Sequence, residues 1–215
     1  RRQRQMCIRD SFLTIGIRKG GESQALDLIT GLSSLTNAVG YRYPQAHLSA
    51  VLGIGAALWE RLFQLEKPQH LHEFIEIKGE RHHAPSTPGD LFVHIRSDEY
   101  DVAFELARRI SAVVGDAVDH HDEVHAFQYQ DFRDPLGFVD GTESPRAEEA
   151  IKVALIREGM WAGGSYIVEQ KYVHDLKSWN ALPVEEQERV IGRTKHSDVE
   201  PVSYTHLRAH ETDSY

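Results

Sequence analysis

Twice within its first 129 residues the chain passes from strand-like to helical and back to strand-like hydrophobic spacing, which limits its folding options more than any other feature. Phe12-Leu13-Thr14-Ile15-Gly16-Ile17 predicts a strand closed by Gly20-Gly21. From Ser23 to Val39, the apolar series Leu28, Leu32, Leu35 and Val39 has helical spacing, and Leu48 to Gly55 predicts a second strand. A short helix over Leu58 to Phe63 and a polar surface loop over residues 65–90 follow. The strand Leu91 to Ile95 then puts Leu91, Val93 and Ile95 on one face and Phe92 and His94 on the other. Ser97 or Asp98 is placed to cap a helix whose stripe is Val102, Leu106, Ala107, Ile110 and Val113, and Val124 to Tyr129 returns as a strand. A β-α-β, β-α-β order of this kind packs its helices on one side of an antiparallel sheet. The expected fold class is α+β, with residues 11–133 forming one ferredoxin-like domain.

Residues 134–200 predict the first part of a second such domain. Ile151 to Ile156 and Gly164 to Val173 have strand character on either side of a turn at Gly159-Met160-Trp161-Ala162-Gly163, although Glu148-Glu149 leaves a helix through Ile156 as the alternative. Asp175 to Leu182 predicts a short helix, and Pro183 suits the first position of another. One strand-helix half is present, so this second domain is expected to be incomplete.

Between the two domains lies Gly137-Phe138-Val139-Asp140-Gly141-Thr142-Glu143-Ser144-Pro145. Two glycines bracket an apolar pair and one carboxylate, a pattern suited to a tight turn, because glycine accepts positive φ and lets other groups approach its backbone closely. Asp140 would then be presented from a bent backbone toward an adjoining cavity. The plainer alternative is a loop whose Asp and Thr side chains cap their own backbone.

Composition narrows the function classes. A net charge of −9 argues against a nucleic-acid-binding surface, which needs a basic footprint. No run of 18 apolar residues suggests a membrane span. The single cysteine, Cys7, lies in the basic leader, so the body offers no thiolate for a disulfide, an iron–sulfur cluster or a haem. The basic start is followed by a polar stretch rather than an apolar one, and a cytoplasmic location is expected.

The Gly137 to Pro145 stretch resembles the GxxDG-bearing segment of the haem-dependent dye-decolourising peroxidases, closest to their bacterial B-type. Ala84-Pro85-Ser86-Thr87-Pro88-Gly89-Asp90-Leu91-Phe92-Val93-His94-Ile95-Arg96-Ser97 is similar to a first-domain strand of that family. Gly164 to Asp175 is similar to the strand after the motif, and Pro183 to Lys195 to a family helix, so the resemblance covers residues 11–200 in family order. It implies a dimeric α+β barrel type of fold, haem b as cofactor, hydrogen peroxide and an organic electron donor such as a dye as reactants, and assembly into homo-oligomers. It also implies that Asp140 is the distal proton-transfer group and that Gly137, Phe138, Val139, Gly141 and Thr142 line the haem.

Residues 1–10 and 201–215 do not share the resemblance and are expected to be non-native sequence joined to a truncated coding region. The family's distal arginine and proximal histidine come later than the region matched. His206 imitates the segment around the proximal ligand and is the candidate iron ligand on this chain, whereas Arg208, two positions on, is poorly placed to reach the opposite face of the ring. The expected function is therefore a haem peroxidase impaired in this chain, with a haem- or porphyrin-binding ferredoxin-like protein lacking efficient turnover as the alternative.

Other candidates have structural readings beside the functional ones. Asp119-His120-His121-Asp122-Glu123-Val124-His125 offers imidazoles and carboxylates suited to Zn²⁺ or Mn²⁺, or else forms a solvated turn leading into a strand. His82-His83 sits in a polar loop, while His94 and His174 lie in strand-like runs and either face the cofactor or serve as hydrogen-bonded structural groups. Trp161, Trp179, Tyr166 and Tyr172 either relay an oxidising equivalent to a bulky substrate or simply pack.

Overall fold

A computed structural model describes residues 9–80 and 82–200. They form two units, one running to Phe127 together with Leu155–Ile167, the other comprising Gln128–Ala154 and the chain from Val168 onward.

The first unit is built as its hydrophobic periods require. Strand β1, Arg9–Ile17, buries Ser11, Leu13, Ile15 and Ile17 on one face, and helix α1, Glu22–Gly40, lays Ala25, Leu28, Leu32 and Val39 into the same core. Strand β2, Ser49–Ile54, leads directly into helix α2, Ala56–Leu62. Within the polar loop, Ile77–Lys78 (β3) and His83–Ala84 (β4) pair as a small antiparallel ribbon. Strand β5, Leu91–Ser97, alternates buried and half-buried residues along its length. Helix α3, Tyr100–Val114, buries Val102, Ala103, Leu106, Ala107, Ile110 and Val114, three- and four-residue steps that keep one stripe on the sheet. Strand β6, Val118–His125, completes a four-stranded sheet of order β2-β5-β1-β6 in which every neighbouring pair is antiparallel. This is the ferredoxin-like order the double β-α-β pattern predicts. Among the described residues the sheet stays open rather than closing into a barrel.

Four local expectations are corrected, the last of them over Gly164 to Val173. Neither Ser97 nor Asp98 caps α3: Glu99 occupies that position, Ser97 is fully buried with its hydroxyl donating to the Ala46 carbonyl, and Asp98 pairs with His47 at 2.6 Å. The last strand begins at Val118 rather than Val124, running through the polar Asp119 to Glu123 segment, and residues 126–129 lie outside it. Hydrogen bonding to β1 supplies the ladder whatever the side chains, and an edge strand tolerates polar residues. The third concerns Ile151 to Ile156, where the strand gives way to the helical alternative: helix α4 spans Ala147–Ala154, ending two residues short of Ile156, with Glu148 and Glu149 favourably placed in its first turn.

In the first unit, Leu155–Ile167 folds back on itself about the expected turn. Ile156 N–H donates to the Gly164 carbonyl and Gly163 N–H to the Ile156 carbonyl, both at 2.9 Å, and Trp161 meets Trp59 edge-on at 5.0 Å. The expected strand over Gly164 to Val173 does not form among the described residues. Its β-branched and aromatic residues favour extended backbone, but a strand needs a ladder with a neighbouring strand, and among the described residues no sheet includes this segment.

In the second unit, helix α5 spans Leu176–Ala181 with Asp175 as its cap, accepting from the Ser178 N–H. Helix α6, Val184–Ile191, follows, with Pro183 one position before its first helical residue. Among its described residues this unit contains no sheet and has an isolated antiparallel bridge between Arg133 and Val139.

Candidate functional site

The glycine-bracketed segment is the far arm of a tight ribbon. Asp134-Pro135-Leu136-Gly137 closes a turn through a Gly137 N–H to Asp134 carbonyl bond of 3.0 Å, with proline at the second position, where its fixed φ is preset. Gly137 sits at φ +91°, and the ribbon closes behind it through Asp134 N–H to the Phe138 carbonyl at 2.9 Å and Phe138 N–H to the Asp134 carboxylate at 3.0 Å. Asp140 N–H donates to the Phe132 carbonyl at 2.8 Å. Gly141, at φ +72°, then turns the chain away, and Ser144 N–H returns to the Gly141 carbonyl at 3.2 Å.

The back of the ribbon is packed and tied. Phe138 is buried, its ring 6.1 Å from that of Trp179, whose indole N–H donates to the Leu136 carbonyl at 3.0 Å. Lys195 lies across Gly137, its ammonium 5.5 Å from the centre of the Phe138 ring and 2.6 Å from the side-chain oxygen of buried Gln187. Gln187 in turn donates to the Trp179 and Leu182 carbonyls. The Arg133 guanidinium donates to the Gly137 carbonyl at 2.8 Å and to the carbonyls of Lys195 and His196. Beyond Asp140, the Thr142 hydroxyl donates to the Asp198 carboxylate at 2.8 Å, whose other oxygen accepts from Arg193 at 2.8 Å. Partial burial pushes the Asp198 carboxyl up, but the hydrogen bonds from Arg193 and Thr142 outweigh it and hold the group below its ordinary range.

Asp140 itself is exposed, and among the described residues nothing hydrogen-bonds or pairs with its carboxylate. Its backbone is fixed while its charge is free. This arrangement suits a group that must accept and return a proton at a bound reactant.

The six loop residues named from sequence thus sit on one ribbon with different surroundings. Asp140, Gly141 and Thr142 lie on its outgoing turn, Val139 is half-buried in the bridge to Arg133, and Phe138 and Gly137 face the Trp179–Lys195 packing. His206 and Arg208 lie outside the described residues. Sequence reasoning missed Arg133, Arg193, Lys195 and Asp198 as partners of the loop, and Gln187 as the residue that holds Lys195. It also missed the Asp-Pro-Leu-Gly turn, a signal that was present.

The remaining candidates are placed elsewhere. His174 borders an open groove of about 330 Å³ with Leu136, Asp175, Ser178, Trp179 and Leu182. His94 stacks on Phe12 at 4.5 Å and meets Asp10 at 2.9 Å, while His83 pairs with Glu76. The 119–125 segment is strand β6, and among the described residues no His, Cys, Asp and Glu cluster could hold a metal ion. Across the β1–β6 pair, Ser11, His125 and Glu123 form a line of contacts at 3.2 and 3.1 Å that imitates a nucleophile, base and orienting acid. Ser11 is 1% exposed, so no substrate reaches it. Trp161 packs on Trp59, the Tyr166 hydroxyl accepts the His70 N–H, and Tyr172 is exposed.

Comparison with known proteins gives a consistent result. Residues 5–128 match the family model for the Dyp-type peroxidase N-terminal region, and residues 131–213 match that for the C-terminal region. The chain is 51% identical over 191 residues to a dye-decolorizing peroxidase of Mycobacterium tuberculosis, covering 88% of this chain and 57% of that protein. The encapsulated DyP-type peroxidase of Mycobacterium smegmatis superposes with a TM-score of 0.87 at 46% identity, over 91% of this chain and 64% of that one. A Rhodococcus jostii RHA1 DypB variant in complex with heme gives 0.84 at 46% identity, with the same coverage. The chain therefore spans a little over half the length of the curated relative.

Proposed function

Because this chain belongs to the Dyp-type peroxidase family, we propose that it carries the peroxide-side face of a haem b peroxidase, with Asp140 as the group that moves the proton. The observation that carries this reading is the free, exposed carboxylate on a backbone anchored from behind. The residues fit such a cofactor on this side. A Cβ added at Gly141 would meet nothing nearer than the Ser144 hydroxyl at 3.6 Å, so the turn leaves room beside the carboxylate. Asp140, Gly141 and Thr142 would face the haem, and Arg133 and Phe138 would support them from behind. Haem b, when bound, supplies the two electrons that reduce hydrogen peroxide to water and recovers them one at a time from an organic donor such as a dye.

The role of the chain is to hold and move protons at defined atoms. The Asp140 carboxylate takes the proton from one peroxide oxygen and delivers it to the other, which leaves as water once the O–O bond breaks. A positioned acid-base group of this kind is worth about 10²–10⁴-fold in rate. The loop supplies no axial imidazole, and His206, which the resemblance suggested, lies outside the described residues. Among the described residues no helix is long and apolar enough to cross a membrane; a cytoplasmic location and homo-oligomeric assembly belong to the same proposal.

Titrating the purified protein with haem and then adding peroxide and a dye tests the reading. A Soret band together with peroxide-dependent dye oxidation supports it. A Soret band without turnover would favour a haem-binding protein, and no Soret band would remove both.

A further inference from the structure

Four residues C-terminal to α6, Arg193, Lys195, His196 and Asp198, meet the arms of the Asp140 loop, at Arg133, Thr142 and Glu143, from fifty or more positions away in sequence. Arg133, on the incoming arm of the ribbon, donates to the carbonyls of Lys195 and His196 as well as to the Gly137 carbonyl. On the outgoing arm, Thr142 donates to Asp198 at 2.8 Å, and Arg193 completes the clasp by donating to the other Asp198 carboxylate oxygen at 2.8 Å and to Glu143 at 3.1 Å. The 193–199 turn is itself closed by its own bonds. Thr194 N–H donates to the Val199 carbonyl at 2.9 Å, Asp198 N–H to the Thr194 carbonyl at 3.1 Å, and the Thr194 and Ser197 hydroxyls meet at 2.7 Å.

Asp198 takes φ +53°, a conformation rarely adopted by residues other than glycine, Asn and Asp. The turn therefore holds this side chain at a backbone cost, and in that position it has the Thr142 hydroxyl on one oxygen and the Arg193 guanidinium on the other. Asp140 lies between two fixed points, its own N–H on the Phe132 carbonyl and the Thr142 hydroxyl on Asp198. With Gly141 as the joint between them, the outgoing anchor decides where that joint rests.

We infer that Asp198, clamped by Arg193, is a positioning residue that sets the presentation of the Asp140 carboxylate through Thr142. It touches neither the cofactor nor the peroxide; it fixes the outgoing arm of the loop that does. The inference rests on the reading of Asp140 as the proton-transfer group, but its structural half can be tested without haem.

Amide hydrogen exchange of the full chain reads that half directly at the Asp140 and Ser144 N–H groups, which hydrogen-bond within the loop. Asp198→Ala removes both charge-assisted bonds and should speed exchange at these two amides by about tenfold or more, the scale of one such bond. Asp198→Asn keeps the shape and one acceptor oxygen and should fall between wild type and Asp198→Ala, which keeps the test interpretable should the alanine variant fold poorly. Exchange that changes only at Thr194 and Asp198, leaving Asp140 and Ser144 as in wild type, would overturn the inference by confining Asp198 to its own turn. In the haem-loaded protein, Asp198→Ala should lower the rate constant for reaction with peroxide while leaving haem affinity near that of wild type. If the loop amides loosen as expected but Asp140→Asn leaves the peroxide rate unchanged, the clasp stands and the catalytic reading of Asp140 falls. If Asp140→Asn slows the reaction and Asp198→Ala changes neither exchange nor rate, the clasp falls and the catalytic reading stands.

Discussion

Asp140 is held by its backbone and, among the described residues, left alone at its carboxylate, and this division of labour makes the loop a site. A carboxylate committed to a cap or an ion pair would have to break that bond before it could take a proton. Here the N–H is bonded to Phe132, the preceding residues are tied by Arg133 and Trp179, and the charge stays available. Gly141 carries the bend at φ +72°, where a β-branched residue is strained by about 1–3 kcal/mol. Gly141→Val should therefore lower the melting temperature or the haem occupancy more than Ser144→Ala, and equal values in the two variants, by calorimetry and haem titration, would count against this account. The carboxylate between two glycines was legible in the sequence because the turn chemistry is local. Lys195, Arg193 and Asp198 were not, because each is a polar residue meeting the loop across fifty or more residues, and nothing in a local pattern distinguishes such a side chain from a solvated one.

At the scale of elements, legibility followed burial. Strands β1 and β5 and helices α1 and α3 were readable because each puts an apolar period into a shared core. Strand β6 was partly hidden, since the hydrogen bonds that hold its polar half belong to β1. The segment 164–173 shows the opposite error. Tyr166, Ile167, Val168, Tyr172 and Val173 have strand composition, yet among the described residues no neighbouring strand pairs with them and the backbone forms no ladder. Leu106 is 0% exposed on the sheet-facing stripe of α3, and Leu106→Ala should cost about 2–5 kcal/mol through lost burial and the cavity left behind. Denaturant titration measures it, and a loss under about 1 kcal/mol would mean that the α3 stripe does not carry the core.

At the scale of the whole molecule, the first unit contains the complete four-stranded sheet, while the second contains the Asp140 ribbon and the residues that hold it. Family membership rests on both regions, since the two family models match residues 5–128 and 131–213 in turn. The residues that place Asp140, from Arg133 to Asp198, all lie in the second unit, so the proposed peroxide-side chemistry depends on local contacts within it. The most direct test compares wild type with Asp140→Asn after both have been loaded with haem and their occupancies matched by Soret absorbance, following the reaction with hydrogen peroxide by stopped flow. The account predicts matched haem binding and a rate constant about 10²–10⁴-fold lower in the variant. An unchanged rate constant at equal occupancy would contradict it and remove Asp140 from the chemistry.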